Sequence, residues 1–403
     1  MKDLKHMIFF EHLLEDANNE LVRKAKDEGK HALGYTCFHV PEVLMNIGDC
    51  FSVRLRAPNT GSTEIATYYM TNCACEYSRS LLERAIEGNY KFIDAMLGVD
   101  VCEPMNRVME NMELLHTEDQ TNKNFFRCYL DIPYADDEDC VAHLKEQITR
   151  KILNPLHENY GVDISDKSIR EAVEKFNKVC RVVNEIGEFR KELNPRVTGT
   201  EFHKICLVSY VCPKDLILPY LEETLEEIKT REPDKKSPFK IRVGIVGSEI
   251  DDTSLIEMIE ECGAYVAFDR FCYGSIPGRS EIILNDEEDA LTQICRKNLV
   301  ETECTRSCAY HKIQYRKEHV KQLHDEFKVD GVIYEQMKFC TYWSFERVIA
   351  SHVMPEEYGM NILSIDRPYN CRRSGQLLTR IQAFVESTEF KKIKAKNASK
   401  EAK

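Results

Sequence analysis

Short apolar runs of strand length alternate with segments of helical period in two separate stretches of this 403-residue chain, and that alternation narrows its fold more than any other feature. In the first stretch HALGYT, FSVRL, KFIDAMLGV and FFRCYLDIP read as strands, with helical patterns after Cys75 and after Cys102 between them. In the second, IRVGIVG, AYVAF, DGVIYEQ and NILSI read as strands, and LIEMIEECG and HVKQLHDEF as helices. Such alternation predicts parallel sheets with crossover helices.

The fold class is therefore α/β, with two doubly wound, Rossmann-like parallel-sheet domains. From Asp136 to about Ile228 strand signals vanish, and segments such as SIREAVEKFNKVCRVVNEIGEFRKEL predict a helical insert of two or three packed helices. The charged segment KTREPDKKSPFK, with two prolines, reads as a linker. The expected division is 1–135 for the first α/β domain with its N-terminal helices, 136–230 for the insert, 231–390 for the second α/β domain and 391–403 for a disordered basic tail.

A net charge of −13 argues against a nucleic-acid partner, because phosphate binding needs clustered Lys and Arg. The run KKIKAKNASKEAK at the end is the one basic stretch, and without apolar residues at helical spacing it reads as a solvated tail. No apolar run approaches membrane-spanning length, and MKDLKHMIFFEHLLEDANNE is too charged for a signal peptide, so the expectation is a cytoplasmic protein with no membrane partner. In that compartment seventeen cysteines point to metal or redox use rather than disulfides.

Three of the seventeen stand apart. Cys75, Cys102 and Cys340 each lie where an apolar or extended run gives way to a helical pattern, in YYMTNCACEYSRSLLERAIE, YKFIDAMLGVDVCEPMNRVMENME and VDGVIYEQMKFCTYWSFERV. A thiol on a strand-to-helix turn sits where open α/β sheets place their chemistry, and a helix N-terminus favours its thiolate. Three such thiolates fit an iron–sulfur site that leaves one iron without a protein sulfur, and an open position admits substrate. The plainer alternative is three buried thiols that only pack. A dinucleotide fingerprint is weak, since VGIVGSEIDD lacks the full glycine pattern, and no GK[ST] phosphate loop is present.

At GYTCFHVPEVLMNIG, EGNYKFIDAMLGVDVCEPMNRV, DGVIYEQMKFC and SGQLLTRIQAFVE, in this order and across nearly the whole alternating framework, the chain resembles the 2-hydroxyacyl-CoA dehydratase and benzoyl-CoA reductase subunit family. The resemblance implies an oxygen-sensitive [4Fe–4S] protein paired with a paralogous second subunit, or homodimeric, and charged with one electron by an ATP-hydrolysing iron–sulfur activator. It implies an acyl-CoA substrate, with Cys75, Cys102 and Cys340 matching the cluster cysteines. In the family's dehydratases an electron reaches the thioester carbonyl, and the resulting ketyl radical anion expels the 2-hydroxyl group. A serine near the position of Phe38 and a carboxylate near that of Pro58 act on substrate in a family dehydratase; here the nearest reactive groups are Thr36 and Cys37 for the first, and the nearest charged one is Arg56 for the second. Distant relatives carry an enlarged [8Fe–9S] double cubane, and by resemblance Cys73, Cys304 and Cys308 are its candidate extra ligands. Such a chain would be an ATP-driven low-potential reductase; a subunit that only relays electrons is the remaining alternative.

Cys304, Cys308 and His311 in ECTRSCAYHKI, a hydrophilic stretch that resembles a surface loop as much as a ligand turn, also read as half a zinc site without a second half, and the plainer alternative is that Cys73, Cys304 and Cys308 are spare thiols near the cleft. Ser374, Gly375 and Gln376 open the last helix, where a serine is an ordinary N-cap and small residues also let backbone N–H groups approach a ligand. Trp343 either walls the cleft or packs in the core.

Overall fold

Every run expected as a strand is one. The computed structural model describes residues 1–58, 60–371 and 374–401, with side chains as far as residue 397. Its first part runs α1 (Met7–Glu15), α2 (Glu20–Asp27), β1 (His31–Tyr35), β2 (Cys50–Arg54), α3 (Glu64–Met70), α4 (Glu76–Ile86), β3 (Ala95–Asp100), α5 (Glu103–Leu114) and β4 (Phe126–Asp131). A helical stretch follows: α6 (Glu138–Ile148), α7 (Asn154–Tyr160), α8 (Asp166–Glu188), α9 (Gly199–Val211) and α10 (Lys214–Thr230). The last part runs β5 (Ile241–Gly247), α11 (Ser254–Glu261), β6 (Ala264–Phe271), α12 (Ala290–Val300), α13 (Tyr310–Glu326), β7 (Gly331–Met337), α14 (Thr341–Tyr358), β8 (Ile362–Arg367) and α15 (Gly375–Glu401).

The two four-stranded sheets are wholly parallel and share one strand order, β2-β1-β3-β4 and β6-β5-β7-β8. Leu33 faces Ala95 in the first as Val243 faces Gly331 in the second, so β1 corresponds to β5 and β3 to β7. Strand order reverses between β1 and β3, and between β5 and β7, which opens a crevice at their C-terminal ends. β5, β6 and β7 are buried along their whole length because helices cover both faces, and this is why their sequences are continuous apolar runs rather than alternating ones.

Five helices occupy the stretch where periodicity suggested two or three, and they serve both sheets. α6, α7, α8 and α12 cover one face of the first sheet. Phe202, Ile205 and Leu207 of α9 join a single core that also takes Phe51 and Val53 from β2, Val266 from β6, and Ile381 from α15. α9 begins with a capping box between Thr198 and Glu201. The far face of the second sheet packs on α13 and α14, with Trp343 only 7% exposed among them, so this ring is a core residue.

The segment expected as a disordered tail from 391 instead continues α15 to Glu401; Ala402 and Lys403 lie outside the described residues. Lys and Ala are good helix formers, and Lys392 Nζ reaches Asp330 at 2.7 Å while Lys391 Nζ reaches Asn361 at 3.3 Å. Among the described residues no helix is long and apolar enough to cross a membrane.

Candidate functional site

The three singled-out cysteines are all helix N-caps. Cys75 opens α4, Cys102 opens α5 and Cys340 opens α14, and none of their side chains is used to cap its helix. Cys102 follows β3, and Cys340 follows β7, as a strand-to-helix turn requires. The apolar run before Cys75 is α3, a helix, and Thr71 with φ 69° turns the chain into α4. Phe339, beside Cys340, is also left-handed, with φ 66°, a conformation that a non-glycine residue adopts only when its surroundings impose it.

The cleft brings these turns together from both halves. Cys75 Sγ lies 3.5 Å from Met337 Sδ at the end of β7, and the Cys340 N–H donates to the Met337 carbonyl at 2.9 Å. Nearby bonds hold the halves closed: Tyr369 N–H to Glu76 at 2.7 Å, Arg56 Nε to the Asp251 carbonyl at 2.6 Å, and Tyr273 Oη to the Leu55 carbonyl at 2.6 Å.

Helix N–H groups face each sulfur: those of Tyr77 and Ser78 at Cys75, Met105 at Cys102 and Trp343 at Cys340. Desolvation nonetheless dominates, pushing Cys75 up to about 11 and Cys102 and Cys340 higher still, and Cys75 further raises Cys102 while both raise Cys340. Without a cation such thiols stay protonated; a metal would deprotonate them. Among the described residues no three His, Cys, Asp or Glu groups gather as tightly as one metal ion requires. A cubane places its thiolates on separate irons, so the three N-terminal thiols, spread over three helices and supplied with N–H donors, fit such a cluster by donor type and setting.

The other candidates fall in different places. Cys37, at the end of β1, is pushed up to about 12 by burial and then by Cys304, and Cys272, after β6, is raised by burial and by Glu249, Cys304 and Cys37. Cys37, Cys272 and Cys304, all partly buried, thus act on one another electrostatically, and Cys37 acts on Cys102 as well. Cys73 and Cys308 are exposed. The loop around Cys304 is not the surface loop its polarity suggests: Thr302, Glu303, Thr305, Arg306 and Ser307 are all buried. Thr36 is buried with its hydroxyl unpartnered. Ser374 Oγ accepts the Leu377 N–H at 3.3 Å and so caps α15, while Gly375 and Gln376 are exposed. Arg56 is spent on backbone carbonyls of Asp251 and Leu14.

Sequence reasoning missed Glu249, two residues beyond β5. Burial pushes its carboxyl up to about 7 against the pull of Arg54, and its charge acts on Cys75 and Cys102. The signal was its place directly after an apolar run in VGIVGSEIDD, but only the strand order shows that this run ends at a crevice.

Fold and site together define a double parallel-sheet protein with a thiol-lined crevice between its halves. The family profile of 2-hydroxyglutaryl-CoA dehydratase, D-component, matches residues 37–388, and the chain belongs to that family. It is 22% identical to the (R)-phenyllactyl-CoA dehydratase beta subunit of Clostridium sporogenes, over 94% of this chain and 97% of that subunit. The beta subunit of (R)-2-hydroxyglutaryl-CoA dehydratase from Acidaminococcus fermentans is 20% identical over 91% of this chain and 95% of its own length. One of the benzoyl-CoA reductase subunits of Thauera aromatica is 19% identical over 65% of this chain and 67% of its own length.

Proposed function

We propose that this chain is the [4Fe–4S] subunit of a cytoplasmic 2-hydroxyacyl-CoA dehydratase that works with a paralogous subunit and an ATP-dependent iron–sulfur activator. The observation that carries the reading is the convergence of Cys75, Cys102 and Cys340, as helix N-caps, on one crevice between two sheets. When bound, the cluster supplies one low-potential electron at the thioester and recovers it, so the net reaction is loss of water from C2 and C3. The chain's own part is to hold the three thiolates, to offer the N–H groups of Tyr77, Ser78, Met105 and Trp343 to their sulfurs, and to exclude water through the bonds that close the halves.

The test is anaerobic co-production with a paralogous subunit and an activator, followed by incubation with ATP, a reductant and a panel of (R)-2-hydroxyacyl-CoA thioesters. Formation of the 2-enoyl-CoA, dependent on ATP and lost in Cys102→Ala, is expected; reduction of unsaturated acyl-CoA without any dehydration would contradict it. One observation favours that second reading, a low-potential reductase with an enlarged cluster: Cys37, Cys272 and Cys304 act on one another electrostatically, and Cys37 acts on Cys102.

A further inference from the structure

Carboxyl groups around the crevice differ in how completely they are paired. Glu335 is completely buried and meets Arg367 Nε at 2.7 Å and Ser248 Oγ at 2.9 Å. Glu42 holds Lys214 at 2.6 Å and Arg279 at 2.9 Å. Asp251 accepts the Tyr369 hydroxyl at 2.6 Å. Glu249 differs: its side chain, 22% exposed, is hydrogen-bonded by the Cys272 side chain and faces Arg54 with an oxygen that bonds nothing. Arg54 Nη2 and Glu249 Oε2 are both sealed from solvent, neither atom has a hydrogen-bond partner, and they stand 3.9 Å apart, too far to bond each other.

Arg54 is nonetheless held firmly, as a binding group must be. Its Nη1 donates to the Cys272 carbonyl, its Nε reaches the Thr36 carbonyl at 3.4 Å, and its guanidinium lies 3.9 Å from the centre of the Tyr273 ring. The unpartnered Tyr35 hydroxyl is on the strand beside it, and that of Thr36 lies just past the end of that strand. Arg54 also lines a mainly apolar cavity walled by Phe38, Val40, Phe176, Tyr210 and Ile282. Glu249 stands just past β5, at the point where strand order reverses in the second sheet.

We infer that Arg54 and Glu249 form a substrate-holding pair, Arg54 Nη2 donating to the thioester carbonyl oxygen and Glu249 Oε2 accepting from the 2-hydroxyl group. The inference rests on the dehydratase reading. A carbonyl and a hydroxyl on adjacent carbons are an acceptor and a donor a short distance apart, which is what an unpartnered donor facing an unpartnered acceptor calls for. A ligand that lacks the hydroxyl would leave Glu249 Oε2 sealed from solvent without a partner, so the site would discriminate against it.

Binding, rather than turnover, tests this. The iron-loaded protein with its partner subunit is titrated with (R)-2-hydroxyacyl-CoA thioesters, phenyllactyl-CoA among them, each against its 2-deoxy analogue. The parent protein is expected to prefer the hydroxylated thioester by roughly tenfold or more. Glu249→Leu should abolish that preference with iron content and thermal midpoint unchanged, and Glu249→Gln, which keeps an acceptor, should restore part of it. Arg54→Lys should weaken both thioesters alike, because the carbonyl is common to them. Preference retained in Glu249→Leu, or loss of iron from it, overturns the pair. A parent protein that binds both thioesters equally overturns the pair and leaves the dehydratase reading standing, whereas one that binds neither overturns that reading and the pair with it.

Discussion

The two sheets repeat one strand order and then part company at the crevice. β3 and β7 end alike, each running into a cysteine that opens the next helix, Cys102 and Cys340. β1 and β5 end differently: the first in Thr36 and Cys37, the second in Ser248 and Glu249. Likeness at β3 and β7 comes from the fold, because a parallel strand must turn into a helix there and the helix start offers N–H groups to whatever stands on it. The difference at β1 and β5 is chemistry placed on one side only. On the proposed reading, a cluster held from both halves would fasten them together, while polar handling of a substrate would need just one carboxyl at the seam.

The deepest contrast is inside the sheets. Val99 in β3 and Glu335 in β7 occupy corresponding positions, both fully buried, one apolar and one paired with Arg367. Glu335→Ala strands the Arg367 guanidinium in the interior and should cost about 3–5 kcal/mol. Val99→Ala loses only packing, about 2 kcal/mol. Urea unfolding of the two variants measures both, and equal costs would break the contrast.

A smaller difference separates Gly34 from Gly244, also corresponding positions. A Cβ on Gly244 would lie 2.0 Å from the Phe268 ring, whereas on Gly34 it would lie 2.9 Å from the end of the Ile93 side chain. Rings do not yield as an Ile terminus does. Gly244→Ala should therefore destabilise by about 3 kcal/mol and Gly34→Ala by about 1 kcal/mol, read from the same unfolding curves.

Much of this was legible in the chain. Apolar runs bounded by turn residues marked all eight strands, and two of the three cysteine settings were strand-to-helix turns as read. What failed depends on distant partners. The stretch before Cys75 carried no secondary-structure reading, and it forms α3, which packs on α4 and α5, neighbours that no local pattern reveals. The polar loop at 302–307 looked exposed, yet Arg306 donates to the Ile132 carbonyl at 2.7 Å and Arg316 to the Ser307 carbonyl at 2.8 Å. Buried charge satisfied by remote carbonyls has the same local sequence as a solvated loop. Glu249 was missed for a related reason, since its importance lies in what does not pair with it.

The seam between the halves should loosen in mild acid. His203 on α9 is buried against Phe271, and burial lowers its pKa from 6.5 to about 4. Between those values the unfolded chain binds the proton and the folded one does not, so stability falls as pH drops through 6.5 toward 4. From pH 7 to pH 5 the His203 share of that loss is about 2 kcal/mol, and His203→Gln should remove it from the pH dependence of urea unfolding. An unchanged slope in the variant would place the acid sensitivity elsewhere.

The claim on which the rest stands is that Cys75, Cys102 and Cys340 hold one cluster across the two halves. Iron analysis with Mössbauer spectroscopy of the anaerobically reconstituted parent and of the three single alanine variants tests it most directly. The parent should bind about four irons per chain as a cubane with one iron distinct from the rest, and each variant should lose most of the iron. Full iron content in all three variants would contradict the account; about eight irons in the parent, falling when Cys37 and Cys304 are changed together to serine, would replace the cubane with an enlarged cluster that takes these thiols too.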